Sequence, residues 1–310
     1  MRFVSGWQMS VRAYNIAVIG VGKVGAAVGY LLQRKGHHIA VAVTTSEESL
    51  KNAAPYLPGT RLVHSAGEAL AGADEAASVE VILITTKDGQ IESACKEIAA
   101  SGALTPAHTV MHMSGAAGLD LLSYAKDAGA GVASLHPIQS FANVELAVER
   151  LPGSYFGLTA EGAAREVALK IAADLDGKVV EVADEDKTLY HAAACVASNY
   201  LVTLVYTAQK LYGAAGFEES AAIEAMMPLV KGTLANIESI GTAPALTGPI
   251  ARGDADTVEQ HLKKLAVMGE EIVATYRMLG LRTVDMAVTN GGLSPEAAAK
   301  LYATLQAEHG

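Results

Sequence analysis

A chain of 310 residues has room for one large or two ordinary domains, and with 51% hydrophobic and 18% charged residues it has the balance of a compact globular protein, which excludes disorder. Only 5% of the residues are aromatic and much of the apolar content is alanine, a composition suited to helices packed closely on a sheet and not to a β-sandwich. The net charge of −10, without basic clusters, speaks against nucleic acid as a partner.

Residues Met1 to Arg12 hold no apolar core long enough for a signal peptide, and no later run approaches a membrane span. The expectation is a cytoplasmic protein with a loose N-terminal tail and no membrane contact. From Tyr14 the pattern sharpens. A short apolar strand runs into Gly20-Val-Gly22-Lys23-Val24-Gly25 and then into a helix of small residues. The first glycine permits a tight turn, the second lets backbone approach a pyrophosphate, and the third lets the helix lie close to the sheet. The pyrophosphate would face unpaired N–H groups and the positive end of the helix dipole. Residues 23–35 fit that helix, with Gly36 as its stop, and a strand over Ile39–Thr44 completes a βαβ unit. That context favours a dinucleotide loop over a structural strand-turn-helix.

An acid at the end of the second strand would hydrogen-bond an adenosine ribose; this chain has Thr44-Thr45-Ser46 there. Hydroxyls tolerate a 2′-phosphate and no acid repels one, so NADP is preferred to NAD, although Glu47 and Glu48 follow and no arginine does. Thr45 with Glu48 also reads as a capping box.

Strands are expected over Val79–Thr86, Thr109–Met113, Gly131–Leu135, Tyr155–Thr159 and Lys178–Val182, alternating with helices over Ile91–Ala100, Leu119–Asp127 and Ala163–Leu175, the last stopped by Gly177. Such alternation makes a parallel, doubly wound α/β sheet. Beyond Asp184 no convincing strand occurs. Helices are expected over about 185–213, 218–238, 254–278 and 295–308, with caps at Asp184, Asp254 and Ser294. The organisation is a Rossmann domain over 13–183 followed by an all-helical domain over 184–310, with the cleft between them as the default active site. Cys95 and Cys195 are too few for a disulfide framework or a zinc site, and Cys95 suits plain packing. The histidines His37, His38 and His261 show no metal spacing, and no metal is expected.

Ligands bind outside the carboxyl ends of parallel strands, which singles out Thr85-Thr86, Ser114-Gly115 and His136-Pro137. The threonines could line the ribose side of the cofactor or cap a turn. Ser114 could donate to a substrate carbonyl or carboxylate, or open the turn with Gly115. Pro137 stops its strand and aims His136 at the crevice, where an imidazole of near-neutral pKa would handle the proton that accompanies hydride transfer; a hydrogen-bonded structural histidine is the alternative. Lys187, His191, Cys195 and Asn199 follow one another at i,i+4 steps, placing His191 and Asn199 on a polar helix face as cleft candidates. Arg252, on a loop with Gly248, Pro249 and Gly253, could clamp a carboxylate through paired N–H bonds or tie down its own loop.

With these motifs in view, and with His112-Met-Ser-Gly, Ser134-Leu-His-Pro-Ile-Gln-Ser-Phe, Tyr190-His-Ala-Ala-Ala-Cys-Val-Ala-Ser-Asn and Leu246-Thr-Gly-Pro-Ile-Ala-Arg-Gly-Asp, the chain from Tyr14 onward resembles the Rossmann-like proteins that carry a C-terminal helical domain of unknown function. These are relatives of pyrroline-5-carboxylate reductase, ketopantoate reductase, prephenate dehydrogenase and the 6-phosphogluconate dehydrogenase group. The resemblance implies an NAD(P)-dependent oxidoreductase acting on a small molecule, with helical domains paired in a homodimer. His136-Pro137 is similar to the His-Pro of prephenate dehydrogenases. Hydroxyacid dehydrogenases place a catalytic lysine four residues before an asparagine; matched on Asn199, that position here is Cys195, which leaves His191 as a substitute.

The leading expectation is therefore hydride transfer between a nicotinamide and a C=O or C=N carbon of a carboxylate-bearing substrate, with His136 or His191 handling the proton, Ser114 and Asn199 orienting the substrate and Arg252 holding its carboxylate. A non-catalytic dinucleotide-sensing or partner-binding protein is the alternative that the missing lysine motivates. A deazaflavin-linked NADP reductase is a third, against which the extra helical domain argues.

Overall fold

The computed structural model describes residues 3–4, 12–70 and 79–307. The chain divides into two compact units, Met1–Tyr200 and Leu201–Gly310.

In the first unit the strands are β1 (Phe3–Val4), β2 (Asn15–Ile19), β3 (His38–Val43), β4 (Arg61–Val63), β5 (Val81–Ile84), β6 (Thr109–His112), β7 (Gly131–Pro137), β8 (Tyr155–Ala160) and β9 (Lys178–Glu181). They form one sheet in the order β1-β9-β8-β7-β6-β5-β2-β3-β4. The central strand β5 is apolar at every position because both of its faces are covered: all four of its residues are buried. On one face Val18, Leu83, Met111 and Leu135 pack with residues of α1 (Lys23–Arg34), α5 (Val144–Arg150) and α6 (Gly162–Asp174), whereas the alternate residues Ile19, Ile82, Val110 and Val132 pack with α3 (Ile91–Ala100) and α4 (Ser123–Asp127) on the other. A short helix, α2 (Glu47–Ala53), follows β3. Strand order reverses at β2, whose last residue pairs with the last residue of β5 (Ile19 with Ile84). The Gly20 loop and Thr85 therefore emerge side by side, at the position where open α/β sheets bind ligands.

The sheet is parallel as expected from β4 through β7, with two antiparallel joins, β7 with β8 and β1 with β9. The link from β7 to β8 contains only the seven-residue α5, and Pro137 pairs with Phe156, so the chain re-enters the sheet at the end it left. Phe3–Val4 are not loose tail but pair with β9; the rest of that predicted tail, through residue 11, lies outside the described residues.

The first unit ends with α7 (Lys187–Ala197) and the start of α8 (Asn199–Ala214). Beyond lie α9 (Glu219–Ile240), α10 (Ala255–Leu265), α11 (Glu270–Thr289) and α12 (Pro295–Gln306). Val258, Leu262, Val284, Leu301 and Leu305 form the core of the second unit. Asp254 and Ser294 cap as expected, accepting from Thr257 and Ala297 N–H. The expected helix over 185–213 is broken at Ser198, and that over 254–278 is two helices parted at Gly269, the second running on to Thr289.

Several local expectations are corrected. The cap of α2 is Ser46, which accepts from Ser49 N–H, so Thr45 and Glu48 form no capping box. Asp184 caps a different element: its carboxylate accepts from Leu119 N–H, and Asp186 precedes α7 without a side-chain cap bond. The left-handed residue ending α6 is Asp176 (φ 54), while Gly177 is required because the Phe156 ring occupies the space of any Cβ. Lastly, one stretch among the described residues does reach the length and hydropathy of a membrane span: Asp184–Ala214, whose most apolar 18-residue window has a mean hydropathy of 1.2 and no buried residue. Its apolar side chains include Leu189, Val196 and Val202, which are exposed.

Candidate active site

The glycine loop is held rigidly from two sides. Val43 O accepts from both Gly20 and Val21 N–H (2.9 and 3.2 Å), and Thr85 Oγ1 donates to Gly20 O at 2.6 Å. Gly20 has φ +98, and a Cβ there would stand 2.9 Å from Thr86 N. A Cβ on Gly25 would fall onto Gly20 O and Thr85 Oγ1, closer than real Cβ atoms approach anything. At Gly22, by contrast, the space is open to 4 Å. Helix α1 starts from Gly22 with no side-chain cap and no acid in its first turn, leaving its first N–H groups without a side-chain acceptor. Thr86 Oγ1 beside the loop is buried without a partner. Uncapped donors, open space over Gly22 and an orphaned hydroxyl fit an anionic dinucleotide.

Lys23 is exposed at the first position of α1 and Val24 packs on the core. Beyond β3, Thr44 is buried and its hydroxyl accepts from Ser46 N–H at 3.3 Å, while Thr45 and Ser46 are exposed. His64, which the sequence reading passed over, follows β4 with its ring exposed and its Nδ1 3.1 Å from Thr44 O. The rule that residues just past strand ends carry ligand contacts points to it as directly as it points to Thr44.

A second cluster grows from strand alternation. On the α3/α4 face, Val110 and Val132 are followed two residues later by His112 and Ser134, then by His136, so the lining of that face turns from apolar to polar across β6 and β7. Helix α7 lies over this patch. Its Tyr190 hydroxyl occupies the space a Cβ would take on Gly157 of β8 and hydrogen-bonds His136 Nδ1 at 2.7 Å. Burial raises the Tyr190 pKa to about 12 despite a backbone hydrogen bond from Gly157, so the phenol stays protonated and donates to His136 Nδ1. The His136 proton then resides on Nε2, the atom that faces Gly115.

Gly115 is where two rings converge. A Cβ there would stand 2.6 Å from His191 Nδ1 and 2.8 Å from His136 Nε2. The imidazoles of His136 and His191 meet edge to face, centroids 6.0 Å apart. His191 Nδ1 is buried without a partner, and its Nε2 lies 3.7 Å from Cys195 Sγ. Ser114 Oγ accepts from Ala116 and Ala117 N–H (3.3 and 3.1 Å), a turn that leaves the hydroxyl proton for donation. His112 is locked: its Nδ1 accepts from Ser114 N–H and its Nε2–H donates to Gly118 O at 3.0 Å.

Electrostatics correct one expectation. His136 is no near-neutral acid: burial, reinforced by Lys187, His191 and His112, lowers its pKa to about 4. His112 is lowered to about 4, again by burial first. Both rings are uncharged near pH 7, and His136 offers a neutral N–H donor. Lys187 is the surprise. The sequence shows it as the first rung of the i,i+4 ladder, beside three acids that suggest a solvated helix start; in the fold it is 2% exposed, donating to Ser134 Oγ at 2.5 Å and Ser114 O at 3.3 Å. Burial lowers its pKa to about 8, against the opposing pull of Asp184 and Asp88.

The structure thus brings Ser114, His136 and His191 together and adds Lys187 and Tyr190. Asn199 begins α8 after the break at Ser198 and is exposed. Arg252 belongs to the second unit, exposed at the end of a 3-10 turn over Ile250–Arg252.

Residues 6–137 match the family model described as Rossmann-like domain, and residues 154–283 match that described as domain of unknown function (DUF2520). No curated protein matches the chain. Among solved structures it is similar to protein TM1727 from Thermotoga maritima (22% identity, 89% of this chain and 99% of that one, TM-score 0.67). It is similar also to BF3122 from Bacteroides fragilis, assigned as an NADP oxidoreductase (19% identity, 90% and 100%, TM-score 0.67). A third is the pyrroline carboxylate reductase of Plasmodium falciparum with NADP bound (11% identity, 94% and 98%, TM-score 0.55). At these identities the likeness establishes the fold.

Proposed function

We propose that this chain, in which a Rossmann-like domain is joined to a domain of unknown function DUF2520, is an NAD(P)-dependent oxidoreductase acting on a C=O or C=N carbon of a small carboxylate-bearing molecule. The observation that carries the reading is the cradle at the head of α1: open space over Gly22, uncapped helix N–H groups, and Thr85 and Thr86 bracing Gly20. When bound, the nicotinamide supplies or accepts the hydride. Gly20, Gly22, Lys23, Val24 and Gly25 hold the pyrophosphate side, and Thr44, Thr45 and Ser46, with His64 beside them, accommodate a 2′-phosphate and favour NADP over NAD.

His136 polarises the reacting C=O or C=N through its neutral Nε2–H, its ring fixed by Tyr190. Donation by an uncharged imidazole exploits preorganisation rather than acid strength. His191, with Cys195 behind it, handles the proton, and Ser114 and Asn199 orient the substrate; for the carboxylate the reading needs a paired donor, the part for which the sequence offers Arg252. The apolar side chains exposed on α8 and α9, among them Val202, Leu204, Leu229 and Leu234, support a homodimer through the helical domain; a cytoplasmic location belongs to the same proposal.

A binding titration with NADPH and NADH, followed by nicotinamide absorbance in the presence of keto acids, imino acids and cyclic imines, tests the reading. Binding with substrate-dependent loss of absorbance is the expected result. Binding with no turnover across the panel would favour a dinucleotide sensor, the reading that Cys195 in place of a lysine suggests.

A further inference from the structure

A lysine almost never lies fully buried without a job that requires it, because its charge is costly to remove from water. Lys187 is such a lysine. The residue is 2% exposed, and its ammonium donates to two uncharged oxygens, Ser134 Oγ at 2.5 Å and Ser114 O at 3.3 Å. Ser134 Oγ in turn donates to Ser114 O at 3.3 Å, so three groups from β7, the turn after β6 and the head of α7 close on one point. That turn carries Gly115, the residue against which the rings of His136 and His191 rest.

We propose that Lys187 is a positioning residue for the candidate active site: its buried ammonium clamps the Ser114–Gly115 turn to Ser134 of β7 and places a fixed positive charge beside the histidines packed around that turn. The inference rests on the reading of His136 as the group at the reacting centre. Lys187 does not touch the substrate; it acts through His136 and the turn.

His136 faces Tyr190, His191 and Lys187 on α7, and His112 on β6. His112 faces Lys187, Asp88 beyond β5, and Asp184 before α7. Lys187 itself faces Asp184 and Asp88. A cation among imidazoles disfavours their protonation, and Tyr190, staying a phenol, adds no compensating negative charge. The consequence is chemical: the Nε2–H of His136 remains a neutral donor at working pH, and the positive charge in the site belongs to a side chain that the substrate cannot reach. Without that charge His136 would protonate more readily, with burial, the larger cause, still holding its pKa below the ordinary imidazole value.

The test needs neither cofactor nor substrate. Histidine carbon-13 NMR titrations of the full chain are recorded for the wild type, Lys187→Met, Lys187→Arg and Ser134→Ala. The expected result is an upward shift of the His136 midpoint, and a smaller one of the His112 midpoint, for Lys187→Met, with Lys187→Arg and Ser134→Ala staying near the wild type. In the wild type alone, the His136 and His112 resonances are expected to show a second inflection at about pH 8 as Lys187 loses its proton, a readout that remains should Lys187→Met fail to fold. Unmoved midpoints in a folded Lys187→Met protein, or no inflection near pH 8 in the wild type, would reduce Lys187 to a packing residue and overturn the proposal. Loss of NADPH binding or of turnover in the wild type, with these titrations as expected, would count against the proposed function and not against this one.

Discussion

Gly22→Ala and Gly25→Ala differ by three positions in one loop and should fail in opposite ways. At Gly25 a Cβ would press into Gly20 O and Thr85 Oγ1, and nothing in that contact is a flexible side-chain end apart from the threonine hydroxyl. Overpacking of this kind costs about 1–3 kcal/mol. Displacing Thr85 from its 2.6 Å bond to Gly20 O adds roughly 1 kcal/mol. Gly25→Ala should therefore lower the melting temperature by several degrees and distort the loop as well. At Gly22 the backbone is extended (φ −72, ψ −159) and no atom lies within 4 Å of the new methyl. Its effect on stability should stay within about 0.5 kcal/mol. The methyl would, however, fill the space assigned to the pyrophosphate, and a steric cost of about 1–3 kcal/mol in the complex corresponds to roughly 5- to 150-fold weaker binding. Thermal denaturation and NADPH fluorescence titration on the two variants separate the cases. A Gly22→Ala protein of native stability that binds NADPH as tightly as the wild type would refute the placement of the dinucleotide.

Gly115→Ala should leave the sheet intact but push apart His136 and His191, since its Cβ would lie 2.6–2.8 Å from their ring atoms; turnover should fall at least tenfold with NADPH binding retained, and equal turnover would remove the ring pair from the mechanism. The buried histidines predict a loss of stability in acid. His112 and His136 have folded-state pKa values of about 4 against an ordinary 6.5, so the unfolded chain takes up protons first and stability present above pH 6.5 is lost as pH falls towards 4. For fully buried His112 the loss is on the order of 3 kcal/mol, and a denaturant midpoint that stays level between pH 7 and pH 4.5 would contradict it. Val202→Asp combined with Leu229→Asp should convert a dimer to a monomer in sedimentation without loss of helix content; a monomeric wild type would defeat the assembly reading.

How far the sequence reached depended on the range of the interactions involved. The βαβ unit was legible because its determinants are local: a buried apolar run, three glycines at set spacing, and a helix that Gly36 ends. The second sheet face was half legible. His136 could be placed at a strand end from Pro137, but its partner Tyr190 lies 54 positions away and is set by the seating of α7 across Gly157. Lys187 could not be read at all, because a lysine after Asp184, Glu185 and Asp186 looks solvated until the fold seals it against Ser134. Caps failed where side chains found distant partners: Asp184 was free to serve Leu119, 65 positions earlier. The break at Ser198 leaves Asn199 on another helix than the ladder that predicted it, with only Lys187, His191 and Cys195 sharing α7.

The central claim is that the head of α1 grips an anionic dinucleotide. Isothermal titration of the folded wild-type chain with NADPH and with NADH tests it most directly: the account predicts one site per chain, with NADPH the tighter ligand. Heat of dilution alone for both coenzymes, on protein whose circular dichroism is native, would contradict it.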